Sequence, residues 1–309
     1  MSELRDAVDN YLAMRRKLGY VLVDAGCLLP DFVAYLEQRG AQHVTTELAV
    51  AWATAPSGVS PIWWRQRLVT VRGFAQYLKQ FDQSNEIPPA DVVRASYSRV
   101  TPYLYSAADI AALMSAAQTL SPPLRAATYE TLIGLLVTTG VRIGEAIGLD
   151  RGDLDVAAML LRIRHAKAGS QREVPLHETT IAALRDYARV RDDRVLKHES
   201  ESLFVSIRGT RICQSAVNAT FHVLVDRAGL PGRGARCRPR IHDLRHSFAV
   251  RSLLDWYEQG VVDIDVRMPL LSSMLGHVNP ASTYWYLEAA PELMAIVSTR
   301  LERVLGELP

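Results

Sequence analysis

Cysteine is scarce in this chain of 309 residues. Cys27, Cys213 and Cys237 are too few and too scattered for a disulfide framework or a zinc knuckle, and they suit a reducing compartment. Long apolar runs are missing as well. The longest, such as Leu132–Val137, fall far short of the roughly 20 residues that a membrane helix needs. The opening residues, MSELRDAVDN, carry acids and no apolar run, so a signal peptide is not expected and a cytoplasmic location is. There is little excess of either charge: 35 Lys and Arg face 33 Asp and Glu, for a net +2, so bulk charge argues neither for nor against a polyanionic partner. No internal repeat or low-complexity tract is visible.

Apolar content is ample, at 49%, and the length favours two domains over one. The distribution of charge is also uneven. Between Arg227 and Arg251 lie Arg233, Arg236, Arg238, Arg240 and Arg245 against a single acid, Asp243. Such a cluster holds a polyanion or forms a solvated basic loop.

Residues 3–84 read as helices. Leu4, Val8, Tyr11, Leu12 and Leu18 recur at helical spacing, as do Leu29, Phe32, Val33 and Leu36, and then Leu68, Val71, Phe74, Ala75 and Leu78. The polar side of this last stretch, Ile62–Phe81, carries Arg65, Arg67, Arg72 and Lys79, a face for a phosphate backbone or for water. Residues 85–103, with Pro88, Pro89 and Pro102 and no sustained period, read as a linker. A second domain over 104–309 begins with Ser-Ala-Ala-Asp at 106–109, a helix-start pattern. A more apolar helix over Ala126–Thr138 stops at Gly140. Leu161 and Ile163 alternate with Arg162 and Arg164 as in a half-buried strand, and 172–176 forms a second strand beyond a turn holding Lys167. The expected class is mainly α with a small antiparallel sheet.

Four stretches gather chemistry. In TTGVRIGEAIGL (138–149), Arg142 opens a helix, where free N–H groups and the dipole already favour an anion, and Glu145 is placed to hold it. A capping arginine paired to a glutamate for structure gives the same pattern. Lys167 on its turn is either an ordinary exposed lysine or a mobile proton donor. His242, Arg245 and His246 fall at i, i+3 and i+4 on one helix face. A metal site is disfavoured there, because no glutamate separates the histidines and Arg245 repels a cation. Finally, His277 follows a glycine, and Asn279-Pro280 starts a helix bearing Tyr284 and Tyr286. Two residues apart means roughly 200° of rotation, so one of these tyrosines at most faces a site.

The order of these motifs resembles the tyrosine recombinase (phage integrase) family: TTG-x-R-x-x-E, a lysine on a strand turn, His-x-x-Arg, Leu-Gly-His, and a tyrosine nine residues after that last histidine. The match spans 138–286, and the RR-x-L-G of Arg15–Gly19 with VRGFAQYL extends it into the first domain. The resemblance implies an N-terminal helical, SAM-like core-binding domain over 1–84 that clamps DNA, and a catalytic domain over 104–309. It implies Tyr286 as nucleophile and Arg142 and Arg245 on the non-bridging oxygens of the scissile phosphate. His242 and His277 would hydrogen-bond that phosphate and help move protons, Lys167 would protonate the departing 5′ oxygen, and Glu145 would support the site. His246 lies outside the family's set and is expected to be structural. The run between His242 and His277 is longer than is usual in the family, and the histidine that often follows the tyrosine is absent from YLEAAPEL.

With that resemblance the partner is double-stranded DNA. Arg65, Arg67, Arg72, Lys79, Arg236, Arg238 and Arg240 are the candidate contacts, and no cofactor or metal is implied. The tail over 291–309 places Leu293, Ile296, Val297, Leu301, Val304 and Leu305 on one stripe, expected to pack in cis or to dock on a neighbour in a tetramer on DNA. Helper recombinases are among the expected partners, and the wording around STYWYLEAAPEL resembles the transposon-borne branch. Three other readings stay open: a type IB topoisomerase-like activity, a catalytically silent DNA-binding protein, and a metal-dependent hydrolase. The separate helical domain and the tail favour recombination over relaxation, and the full residue set argues against a silent site.

Overall fold

The computed structural model describes residues 3–95, 101–164, 171–194, 200–234, 237–259, 264–277, 279 and 283–284. Lys167, Arg236, Tyr286 and the tail over 291–309 lie outside them. The chain forms two compact units, Met1–Arg99 and Val100–Pro309.

The first unit is helical: α1 (Glu3–Lys17), α2 (Val23–Glu37), α3 (Thr46–Thr54) and α4 (Pro61–Leu78). Helix α1 opens with Glu3 and Asp6 and closes with Arg15, Arg16 and Lys17, the charge order that the helix dipole favours. The Thr45 hydroxyl caps α3 by accepting from the Leu48 N–H at 3.2 Å. Pro61 sits in the first turn of α4, where its missing N–H costs nothing. The apolar stripes read from sequence converge in one core, except for Leu18, which falls beyond the end of α1 and is exposed. Leu29, Phe32, Leu36, Val71 and Phe74 are completely buried, each worth roughly 1.5–3 kcal/mol.

Two expectations need correction here. The first concerns Arg67, which turns inward instead of lining a polar face. It is buried, its guanidinium lies 3.6 Å from the Trp52 ring centroid, and Nη2 donates to the Trp52 carbonyl at 2.9 Å. The second concerns the stretch read as a linker, which is no free connector at its start. The Asn85 carboxamide accepts from the Val44 N–H at 2.9 Å, the Glu86 N–H donates to the Val44 carbonyl at 2.7 Å, and Glu86 accepts from the Thr46 N–H at 2.7 Å. Val93 is buried in the first core. Prolines in this stretch remove donors, but the residues before them find backbone partners ahead of α3.

The second unit begins with Tyr103 and Tyr105 buried in its core. Its helices are α5 (Ala107–Gln118), α6 (Pro123–Thr139), α7 (Ile143–Gly148), α8 (Glu178–Arg194), α9 (Gln214–Arg227), α10 (Asp243–Glu258) and α11 (Ile264–Leu275). The expected start of α5 is present as a reciprocal cap: the Asp109 N–H donates to Ser106 Oγ at 3.1 Å, and the Ser106 N–H to Asp109 Oδ2 at 3.0 Å. Between α7 and α8 lies an antiparallel sheet of β1 (Leu154–Asp155), β2 (Leu160–Ile163) and β3 (Arg172–Pro175), in that spatial order. Strand β1, at two residues, is too short for any period to reveal. The register Leu161↔Val174 and Ile163↔Arg172 puts Leu161, Ile163, Val174 and Arg172 on one face, with Arg162 opposite Glu173 on the other. Helices α10 and α11 pack through Ala249, Val250, Leu253, Met268, Leu271 and Leu275. Among the described residues no helix is long and apolar enough to cross a membrane.

Candidate active site

The site gathers at the C-terminal end of α11. Helix ends leave backbone carbonyls without intrahelical donors, and the dipole makes that end negative. Three guanidinium groups meet three successive carbonyls there. Arg172 Nε donates to Met274 O at 2.8 Å, Arg245 Nη2 to Leu275 O at 2.5 Å, and Arg142 Nη2 to Gly276 O at 2.9 Å. His277 is the next residue, so it emerges among three cations.

Each arginine arrives from a different element. Helix α6 ends at Gly140, whose left-handed φ of 63° turns the chain into Arg142, the residue capping α7. The Arg142 N–H donates to Glu145 Oε2 at 2.9 Å and its Nη1 to Oε1 at 2.8 Å, the pairing that the one-turn spacing anticipated. Arg142 remains 26% exposed at its side chain, and the bonds to Glu145 and Gly276 use two of its five N–H groups. Arg245, in the first turn of α10, is 3% exposed and also donates from Nη1 to the Gly140 carbonyl at 2.7 Å. Arg172 comes from β3.

His242 immediately precedes α10 without a side-chain capping bond, and its ring meets that of His246 edge to face at 4.8 Å between centroids. Asp243, wholly buried, accepts the Arg240 fork at 3.0 and 2.7 Å and lies 3.9 Å from His246 Nε2. Arg240, a candidate DNA contact, is thereby partly engaged in holding α10, while Arg238 is exposed. In the first unit Arg65 is exposed, and Arg72 and Lys79 are half-buried, with Arg72 donating to the Pro88 carbonyl.

Burial and the surrounding charge set the protonation states. Desolvation, then Arg245, Arg142 and Arg172, push the His277 imidazole down to about 4. Desolvation, then the neighbouring His242, Arg240 and Arg245, take His246 down to about 3. His242 is lowered by burial first and by Arg245 next. All three rings are therefore neutral near pH 7. Burial pushes the Glu145 carboxyl up, but the hydrogen bonds from Arg172 and the Arg142 backbone outweigh it and hold it below its usual value.

Of the residues singled out in the sequence, Arg142, Glu145, Arg245, His242 and His277 share this region. Lys167, Arg236 and Tyr286 fall outside the described residues, and Tyr284 is 43% exposed. Two participants escaped the sequence reading. Arg172 had a visible signal, since strand alternation puts it on the face of Val174. Thr283, 1% exposed, has its hydroxyl 2.7 Å from His277 Nδ1, a contact with no local signature. Among the described residues no group of three or more His, Cys, Asp or Glu is arranged to hold a metal ion.

Residues 105–292 match the phage integrase family. A putative integrase/recombinase y4rB of Sinorhizobium fredii (strain NBRC 101917 / NGR234) is 43% identical, over 98% of this chain and 98% of that protein. The tyrosine recombinase XerD of Mycobacterium tuberculosis (strain ATCC 25618 / H37Rv) is 29% identical, over 84% and 83%. Among solved structures, the Tn1549 transposon integrase in complex with transposon right end DNA has a TM-score of 0.64 at 18% identity, covering 97% of this chain and 99% of that one. These likenesses make the chain a site-specific DNA recombinase of the tyrosine class, and a helical unit followed by a helical unit with a small inserted sheet accords with it. The chain belongs to the phage integrase family.

Proposed function

We propose that this recombinase cleaves and rejoins DNA through a 3′-phosphotyrosyl intermediate on Tyr286. The observation that supports it best is the convergence of Arg142, Arg245 and His277 on the end of α11, with two arginines on successive carbonyls and the histidine directly after them. A phosphodiester resists nucleophiles because of its negative charge. Arg142 and Arg245 reduce that repulsion and stabilise the charge that builds on the non-bridging oxygens. The Tyr286 oxygen bonds to phosphorus as the bond to the 5′ oxygen breaks. Lys167 gives that oxygen a proton, and a neutral histidine receives the phenol proton. His277 suits contact with the phosphate: its Nδ1 is engaged by the Thr283 hydroxyl, and in the tautomer whose proton sits on Nε2 the hydroxyl donates to Nδ1 and the Nε2–H can point to a phosphate oxygen. Attack by a 5′ hydroxyl of another strand reverses the step, so the bond energy is conserved and no ATP or metal is needed.

On this reading Arg65, Arg72, Lys79, Arg236, Arg238 and the free edge of Arg240 track the duplex, and Arg67 does not. The protein works as a tetramer on two DNA sites, joined by the tail over 291–309, with or without helper recombinases. It acts in the cytoplasm on nucleoid DNA, in integration, excision or transposition of a mobile element. The test is covalent trapping on a nicked suicide substrate taken from around the coding region, with chelator present, and mapping of the modified residue. Tyr286→Phe should abolish the adduct and leave DNA binding nearly unchanged. An adduct that survives in Tyr286→Phe and vanishes in Tyr284→Phe overturns the assignment.

A further inference from the structure

Glu145 is one carboxylate shared by two arginines, and the sharing is complete. Its Oε1 accepts from Arg142 Nη1 at 2.8 Å and Arg172 Nη1 at 3.0 Å; its Oε2 accepts from the Arg142 N–H at 2.9 Å and Arg172 Nη2 at 2.6 Å. Two lone pairs on each oxygen are thus filled. Arg172 is 9% exposed at its side chain, Glu145 4% and Arg142 26%, so the two arginines are not equivalent. One is an internal strut and the other faces outward. The strut is fixed at its far side as well, by the Met274 carbonyl at 2.8 Å. It also lies against Gly276. A Cβ built on that glycine, whose φ is 63°, would sit 2.7 Å from Arg172 Nη1 and 2.9 Å from Cζ.

We propose that Arg172 is a positioning residue for Arg142: by occupying both oxygens of Glu145 it stops that carboxylate from capturing the Arg142 guanidinium as a closed pair, and keeps Arg142 available to a phosphate. The electrostatics follow from counting charges. With Arg172 present, two cations share one anion and a unit of positive charge remains at the site. Without it, Glu145 and Arg142 form a neutral, two-pronged pair that competes directly with the DNA phosphate for the same fork. Arg172 also opens β3, five residues along the chain from Lys167, so the same contact ties the foot of the hairpin to the end of α11. Arg172 itself touches no reacting atom.

This inference rests on the reading of Arg142 as a phosphate-binding residue, and the experiment separates the two. Single-turnover covalent cleavage of the suicide substrate at saturating DNA is compared with DNA affinity in the full-length protein. The variants are Arg172→Met, Glu145→Gln and the double variant, each checked by thermal unfolding. Arg172→Met should cleave roughly ten- to a hundredfold more slowly with its affinity within about threefold of the parent. The double variant should recover at least about threefold of that loss, because removing the carboxylate's charge frees Arg142. Removing both partners of a buried ion pair can by itself restore the melting temperature, so the rate is taken per folded molecule. On that scale a purely structural arginine predicts no loss in Arg172→Met and nothing for the double variant to recover. If Arg172→Met does not fold, Arg172→Gln, which keeps an amide donor in the same space, replaces it in both arms. A double variant no faster than the single one overturns the proposal, as does a folded Arg172→Met that cleaves at the parent rate. A parent protein that forms no adduct removes the functional reading, and this inference falls with it.

Discussion

Arg245 and Gly140 are joined by a 2.7 Å hydrogen bond between residues 105 positions apart, from Nη1 to the glycine carbonyl. The same guanidinium holds Leu275 O at 2.5 Å, so one buried cation ties the end of α6 to the end of α11. Gly140 is therefore fixed twice. Its φ of 63° disfavours any side chain, and a Cβ would run into the Phe248 ring and come within 3.0 Å of Leu275 Cδ2. Gly140→Ala should destabilise the second unit by about 2–4 kcal/mol, combining left-handed strain with overpacking. Gly144→Ala is the internal control. Nothing lies within 4 Å of its Cβ position inside α7, and it should be neutral or more stable by up to about 1 kcal/mol. Thermal unfolding of the two full-length variants compares them, and equal melting temperatures would remove the argument.

Arg67 and Arg65 lie two positions apart on α4 and should behave oppositely. Arg67 stacks on Trp52 at 3.6 Å and donates to its carbonyl, and burial lowers its pKa; Arg65 is exposed. Arg67→Ala should cost about 2–4 kcal/mol of stability in the first unit through lost packing, the cation–π contact and an orphaned carbonyl. The slope of DNA affinity against salt should stay as it was. Arg65→Ala should leave the melting temperature unchanged and reduce that slope by about 1, as expected on losing one phosphate contact. A stable Arg67→Ala that loses salt dependence would reinstate Arg67 as a DNA contact.

Much of this was legible in the chain because it is local. The Ser106–Asp109 cap, the stop at Gly140 and the Arg142–Glu145 pairing each span one helical turn, so spacing alone exposes them. The inward turn of Arg67 is legible in the spacing as well. This arginine stands four residues before Val71 and seven before Phe74, in the apolar row, while Arg65, Arg72 and Lys79 repeat every seven residues on another row. Arg172 is a similar case, placed inward by the same period of two that places Leu161 and Ile163. Other features were out of reach of any local pattern. The Thr283–His277 contact depends on how two segments meet, and the pinning of Met274, Leu275 and Gly276 joins three distant arginines to one helix end. Residue types announced the chemistry, but only the fold revealed that the arginines also serve as the helix cap.

Acid should weaken this protein before its carboxylates titrate, and DNA should protect it. His277 is held at about 4 and His246 at about 3, with His242 also lowered, by burial and by the surrounding cations. An unfolded histidine takes a proton near 6.5. Between about pH 6.5 and 4 the unfolded chain therefore binds more protons than the folded one, and stability falls as pH falls. Stability from the depressed carboxylates Glu145, Asp82, Glu86 and Asp155 is lost only below about 4, so the interval from 6.5 to 5 belongs to the histidines. His277 alone should account for about 1–2 kcal/mol of loss by pH 5. A phosphate beside the ring reverses the sign, because an anion favours the imidazolium, so binding of a duplex carrying the recombination site should draw protons from solution in this interval. Melting temperatures at pH 7.5, 6 and 5, with and without that duplex, read both effects. In His277→Asn the free protein's slope should flatten, and the protection by DNA at pH 5 should shrink. An unchanged slope in that variant would place the acid sensitivity elsewhere.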